Sequence, residues 1–214
     1  MKEIINNLNK INKEEITYDE LITIIGDYKL SSEDLKKIYE YLDNKKINIT
    51  TDLPSLSLDD FKIKEEYLDY LNESEKYESL SDKEKNKELI KAIKGDKTKV
   101  FYIYFPLILS ISIKYSNNDI DINDLIEEGI YKFFEIINNK DLEIDKFKEV
   151  LIFNLKQTYK FYEDDKLQEK KLLNKLNKFK NLIDEGYLEE EIISELKISH
   201  EEFHDLQEMI LNIK

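Results

Sequence analysis

The chain of 214 residues contains no cysteine, no tryptophan and no arginine. Without cysteine there is no disulfide framework, no zinc–thiolate site and no thiolate nucleophile. Without arginine there is no planar guanidinium fork, the strongest side-chain grip on phosphate. All 33 basic residues are therefore lysine. Alanine occurs once, at Ala92, histidine twice, glycine four times and proline twice. Four scattered glycines leave no phosphate-cradling loop. No apolar run reaches the roughly 18 residues that a membrane helix needs, so no membrane partner is expected. The N-terminus MKEIINNLNK lacks the apolar stretch of a signal peptide, and the expected compartment is the cytoplasm.

Acid is abundant: 47 Asp and Glu give a formal net charge of −14. A chain this acidic, lacking arginine, is a poor free-standing DNA binder, because phosphate contacts supply most nonspecific affinity. Its expected partners are basic proteins, or DNA held for it by something else. Hydrophobic residues make up 41% of the chain, enough to bury a core, and β-strand alternation is scarce. The expected fold is all-α. Its predicted parts are a small helical module over 1–50, a polar linker over 51–60, a central helical domain over 61–165 and a helical segment over 166–214.

In the first module Thr17–Glu20 has the capping-box pattern and leads into Leu21–Ile25, which Gly26 ends. Ser31 or Ser32 starts the next helix. The densest apolar patterning lies at 100–137. Pro106–Tyr115 reads as a helix entered through proline, with Leu107, Ile108, Ile111 and Tyr115 on one face. After a polar turn, a helix beginning near Asp121–Asp124 carries Leu125, Ile126, Ile130, Phe133, Phe134 and Ile137. Asp124, Glu127 and Glu128 flank that stripe. Such a helix can pack on its own domain and still show an acidic surface to a partner.

The run Phe105–Tyr115 followed by Asp124-Leu125-Ile126-Glu127-Glu128-Gly129 resembles the core of the sigma-70 family of bacterial RNA polymerase sigma factors. There a helix like N-L-x-L-V-x-S-I-A-x-x-Y precedes D-L-I-Q-E-G. Further landmarks keep the spacing: Tyr67, Leu68, Leu80, Glu84, Leu89, Ile93, Gly95 and Asp96. Residues 1–50 resemble the acidic N-terminal region of primary sigma factors, an autoinhibitory module that mimics DNA. Phe147–Tyr159 aligns with the family's promoter-reading helix, with Leu155-Lys156-Gln157 in place of I-R-Q. Val150, Phe153 and Asn154 replace its tyrosine and paired tryptophans. Residues 166–212 resemble the next family region. The segment that reads the −35 element in the family has no counterpart here.

The resemblance implies no enzyme and no cofactor or metal, but a factor that binds core RNA polymerase at the β′ clamp helices. The docking residues carried over are Asp124, Leu125, Ile126, Glu127, Glu128, Ile130 and Phe134. Promoter DNA would be contacted only together with polymerase, through Phe153, Gln157, Lys160, Lys166, Lys170, Lys171 and Lys175. The alternatives are a sigma-like decoy or regulator that holds the clamp without reading promoters, and an unrelated acidic helical interaction protein. His200-Glu201-Glu202-Phe203-His204 matches H-E-x-x-H, the zinc-protease pattern. Ser199 with Glu202 reads instead as a capping box, with these histidines in the first turns of a surface helix.

Overall fold

A computed structural model describes residues 2–11, 13–26, 28, 30–51, 53, 58, 61–139 and 142–212, apart from the Ser32 side chain. The expected 51–60 linker falls mostly outside these residues. Within them the fold is all-α, with ten α-helices and two three-residue strands. It divides into two compact units, Met1–Phe161 and Tyr162–Lys214.

The first unit begins with α1 (Lys2–Leu8), β1 (Glu15–Thr17), α2 (Tyr18–Ile25), α3 (Ser32–Lys45) and β2 (Asn48–Thr50). The strands pair in parallel, with Ile16 opposite Ile49. Both bonds of the Thr17–Glu20 capping box form, at 3.0 and 3.1 Å. Gly26 closes α2 at φ 62°, a left-handed value that glycine tolerates without cost. Ser31 caps α3. The module expected to stand alone belongs to the same compact unit as the central helices. Contacts join the two: the Tyr39 hydroxyl donates to the Glu149 carbonyl at 3.3 Å, and Lys156 Nζ donates to Asp19 at 2.8 Å.

The central part comprises α4 (Glu65–Ser74), α5 (Asp82–Ile93), α6 (Thr98–Tyr115), α7 (Ile122–Ile137) and the start of α8 (Phe147–Asp184). Helix α6 starts eight residues before Pro106, so the proline is inside the helix and does not open it. A mid-helix proline costs about 3 kcal/mol. Burial of Val100, Phe101, Tyr104 and Phe105 in the preceding two turns outweighs it, since each buried apolar side chain returns roughly 1.5–3 kcal/mol. These rings meet the neighbouring helices edge-on: Phe101 to Phe133 at 5.7 Å and Tyr104 to Phe147 at 4.8 Å.

The second unit comprises the rest of α8, α9 (Glu189–Leu196) and α10 (His200–Asn212). Helix α8 runs unbroken through the boundary expected at 165/166. Leu176, Phe179, Ile192, Ile198, Phe203 and Leu206 form the core of this unit. Lys197 turns the chain between α9 and α10 in a left-handed conformation. Leu188, at the start of α9, is 70% exposed.

Candidate functional site

Helix α7 has two sharply different faces. Leu125, Ile126, Gly129, Phe133 and Ile137 are buried, while Asp124, Glu127, Tyr131 and Glu135 are exposed along the opposite side. Residues three and four apart share a helix face, so these four form one stripe. Leu125 and Ile126 therefore hold the helix in place and offer nothing to a partner, contrary to the expected docking set. Glu128 and Ile130 are half-buried at the edges of the stripe. Phe134 is also half-buried and stacks on Phe101 with ring centres 5.6 Å apart.

Tyr131 was missed from the sequence, and it is 67% exposed at the centre of the acids. Its signal was positional: it stands four residues after Glu127 and seven after Asp124. The N-terminal end of the stripe is stitched to the chain before α4. Asn123 accepts from the Lys64 backbone N–H at 3.0 Å and donates to the Lys62 carbonyl at 2.8 Å. The Lys64 ammonium lies 3.7 Å from Glu127 and 5.5 Å from the Tyr67 ring centre.

Gly129 sets how closely α7 approaches α6 and α8. A Cβ there would stand 2.2 Å from the Tyr159 hydroxyl and 2.6 Å from Ile108 Cγ2. That hydroxyl donates to the Leu125 carbonyl at 2.6 Å, and Ser112 Oγ lies 3.0 Å from it. The glycine of the D-L-I-E-E-G run thus makes room for a buried polar contact. Burial, reinforced by the Glu128 charge and opposed by the Ser112 bond, raises the Tyr159 phenol above its ordinary value.

A second constellation lies where α2 meets α6 and α8. The Asp19 carboxylate receives Lys114 Nζ at 2.6 Å, Lys156 Nζ at 2.8 Å and the Tyr115 hydroxyl at 2.9 Å. The Lys156 side chain is fully buried. Burial acts to raise the Asp19 pKa, but the bonds from Lys114 and Lys156 outweigh it and hold the group at about 2. Burial lowers the Lys156 pKa, and Asp19 opposes that fall. Further along α8, Gln157 donates to the Tyr28 carbonyl at 3.2 Å and Lys160 reaches Thr23 Oγ1 at 3.5 Å. Asp43 pairs with Lys146, and Lys36 with Glu143.

The expected DNA-contacting residues separate into different environments. Phe153 is completely buried, so it is a core residue and cannot stack on a base. Gln157 and Lys160 are half-buried beside the N-terminal module. In the second unit, Lys175 pairs with Glu202, Lys166 pairs with Glu169 at 3.0 Å, and Lys170 and Lys171 are exposed. Ser199 caps α10 by accepting the Glu202 N–H at 3.1 Å. The Glu202 carboxylate turns to Lys175, so only half of the expected capping box forms. His200 Nδ1 faces Glu189 at 3.2 Å. Among the described residues no group of three His, Cys, Asp or Glu could hold a metal ion. No described helix is long and apolar enough to cross a membrane.

The chain matches no protein-family model, no curated protein and no solved structure.

Proposed function

We propose that this chain is a sigma-like factor that docks on core RNA polymerase through the outer face of α7. The observation that carries the reading is the stripe of Asp124, Glu127, Tyr131 and Glu135, exposed on a helix whose opposite face is buried. A central aromatic ringed by charge is the composition of an interaction hot spot. The acids suit a basic, helical partner surface and speed its encounter. Pull-down with core polymerase tests the proposal. Asp124→Ala with Glu128→Ala abolishes retention while far-ultraviolet circular dichroism stays unchanged, because both groups lie outside the buried stripe. Undiminished retention by the double variant removes the proposal.

Within this reading, the N-terminal module covers the α8 face that corresponds to the family's promoter-reading helix. The Asp19 carboxylate sits among two ammoniums and a phenol, as a phosphate would. The burial of Phe153 favours the second reading, a regulator that occupies polymerase without reading promoters. A base stacked on an aromatic is worth about 1–3 kcal/mol, and this ring is not available for it. A run-off transcription assay separates the two: a sigma factor yields promoter-dependent transcript, whereas a regulator reduces the transcript made by another sigma factor.

Either way, the isolated chain leaves duplex DNA unshifted in an electrophoretic assay at about 0.15 M salt. With a net charge of −14 it repels the phosphates. Its cations Lys114 and Lys156 are engaged by Asp19. Tight binding that persists as salt rises contradicts both readings.

A further inference from the structure

Helix α5 carries a charge-reversed counterpart of the α7 stripe. Lys83, Lys87, Ile90 and Lys94 are all exposed, Ile90 to 50%. Each stands three or four residues from the next, so they form one row about 17 Å long. The opposite side of α5 is buried through Leu89 and Ala92. None of the three lysines forms an ion pair among the described residues. On a chain of net charge −14, this row gathers cations around a single exposed isoleucine. On α7, Asp124, Glu128, Tyr131 and Glu135 follow the same spacing. Set side by side in parallel, the rows oppose Lys83 to Asp124, Lys87 to Glu128, Ile90 to Tyr131 and Lys94 to Glu135. Every charge then meets its opposite, and the one apolar residue of each row meets the other. Tyr131 is 67% exposed, so the two rows do not cover each other within one chain.

We infer that the α5 row of one copy of this chain docks on the α7 row of a second copy. Nucleic acid is a poorer occupant of α5, because a phosphate backbone gives Ile90 no apolar partner. Glu135 exchanges its bond to Lys132 for one to Lys94, and surface pairs of this kind exchange at little cost. Rows this short make less than a standard interface, so the dissociation constant is on the order of 10–100 µM. The contact does not depend on polymerase. It occupies the same face of α7, so self-association and the proposed docking exclude each other.

Sedimentation equilibrium of the full-length chain, without polymerase, tests it. At about 0.15 M salt, repulsion between the two acidic copies is screened beyond about 8 Å, while charges in contact still attract. The weight-average mass rises above the 25.7 kDa of the monomer as the concentration goes from about 10 to about 300 µM. Lys83→Glu with Lys94→Glu removes the rise, and so does Asp124→Lys with Glu135→Lys. The second pair makes the chain less negative, so its loss of association cannot come from net repulsion. All four substitutions in one chain exchange the signs of the two rows and restore the rise. Circular dichroism confirms that each variant is folded. The inference is overturned if the wild-type chain stays monomeric throughout, if either reversed pair still associates, or if the folded fourfold variant does not recover.

Discussion

Asp19→Asn destabilises the first unit by about 3 kcal/mol, measured as a lower urea midpoint. Removing one member of a buried ion pair costs roughly 3–5 kcal/mol, because the other charge stays buried and unpaired. Here the stranded partner is Lys156, whose side chain has no exposed surface. The low end of that range applies because the Asp19 side chain is 38% exposed and water screens part of the interaction. The asparagine amide also turns a donor towards donors. Lys156→Met is milder, since Asp19 keeps Lys114 and Tyr115 and the apolar replacement suits a buried site.

The same pair gives a pH dependence with a definite sign. The Asp19 pKa falls from 3.8 to about 2 on folding, so its contribution is complete above about pH 4 and is lost as pH falls from 4 to 2. The asparagine variant lacks this acid limb. Wild-type stability and Asp19→Asn stability that agree within 1 kcal/mol at neutral pH, with parallel acid limbs, would falsify the role given to this carboxylate.

Gly129→Ala is the second substitution with a large expected effect, about 3 kcal/mol destabilising. On an open helix this change gains nearly 1 kcal/mol from propensity. Here the new methyl meets the Tyr159 hydroxyl at 2.2 Å and Ile108 at 2.6 Å, and neither can withdraw easily. Tyr159 is fully buried and held by its bond to the Leu125 carbonyl. Overpacking a tight core costs roughly 1–3 kcal/mol and occasionally more. Tyr159→Phe alone costs about 1–2 kcal/mol, because the buried hydroxyl meets both the Leu125 carbonyl and Ser112 Oγ. Combined with Gly129→Ala, it removes the closest clash, so the double variant loses less than the sum of the singles by at least about 1 kcal/mol. The contact at Ile108 remains, so the rescue is partial. Strict additivity, or a stabilising Gly129→Ala, would show that α7 moves away from α8 freely.

Local chemistry was legible in the sequence. Thr17 and Glu20 announce α2 because the two bonds of a capping box join residues three apart and need no tertiary partner. The two faces of α7 were legible for the same reason, as periodicity states which side chains share a face. Within a face it does not state depth. Leu125 and Ile126 were read as docking residues, and only the packing of α6 and α8 buried them. Phe153 was assigned a base-stacking role from its position in a motif, but its ring is part of the core.

Pro106 was read as a helix start from backbone chemistry alone. The aromatic residues before it joined a core assembled from three other helices and carried the helix backwards to Thr98. Composition and local pattern determined by themselves that this chain is helical, acidic and without thiol or guanidinium chemistry. They also placed the acids beside the apolar stripe of α7. Only the tertiary structure decided that Tyr131 lies at the centre of the exposed stripe and that Gly129 admits the Tyr159 hydroxyl. It alone joined Asp19 to Lys156, 137 residues away in sequence. Such pairings depend on which helices meet, and no window of sequence contains both partners.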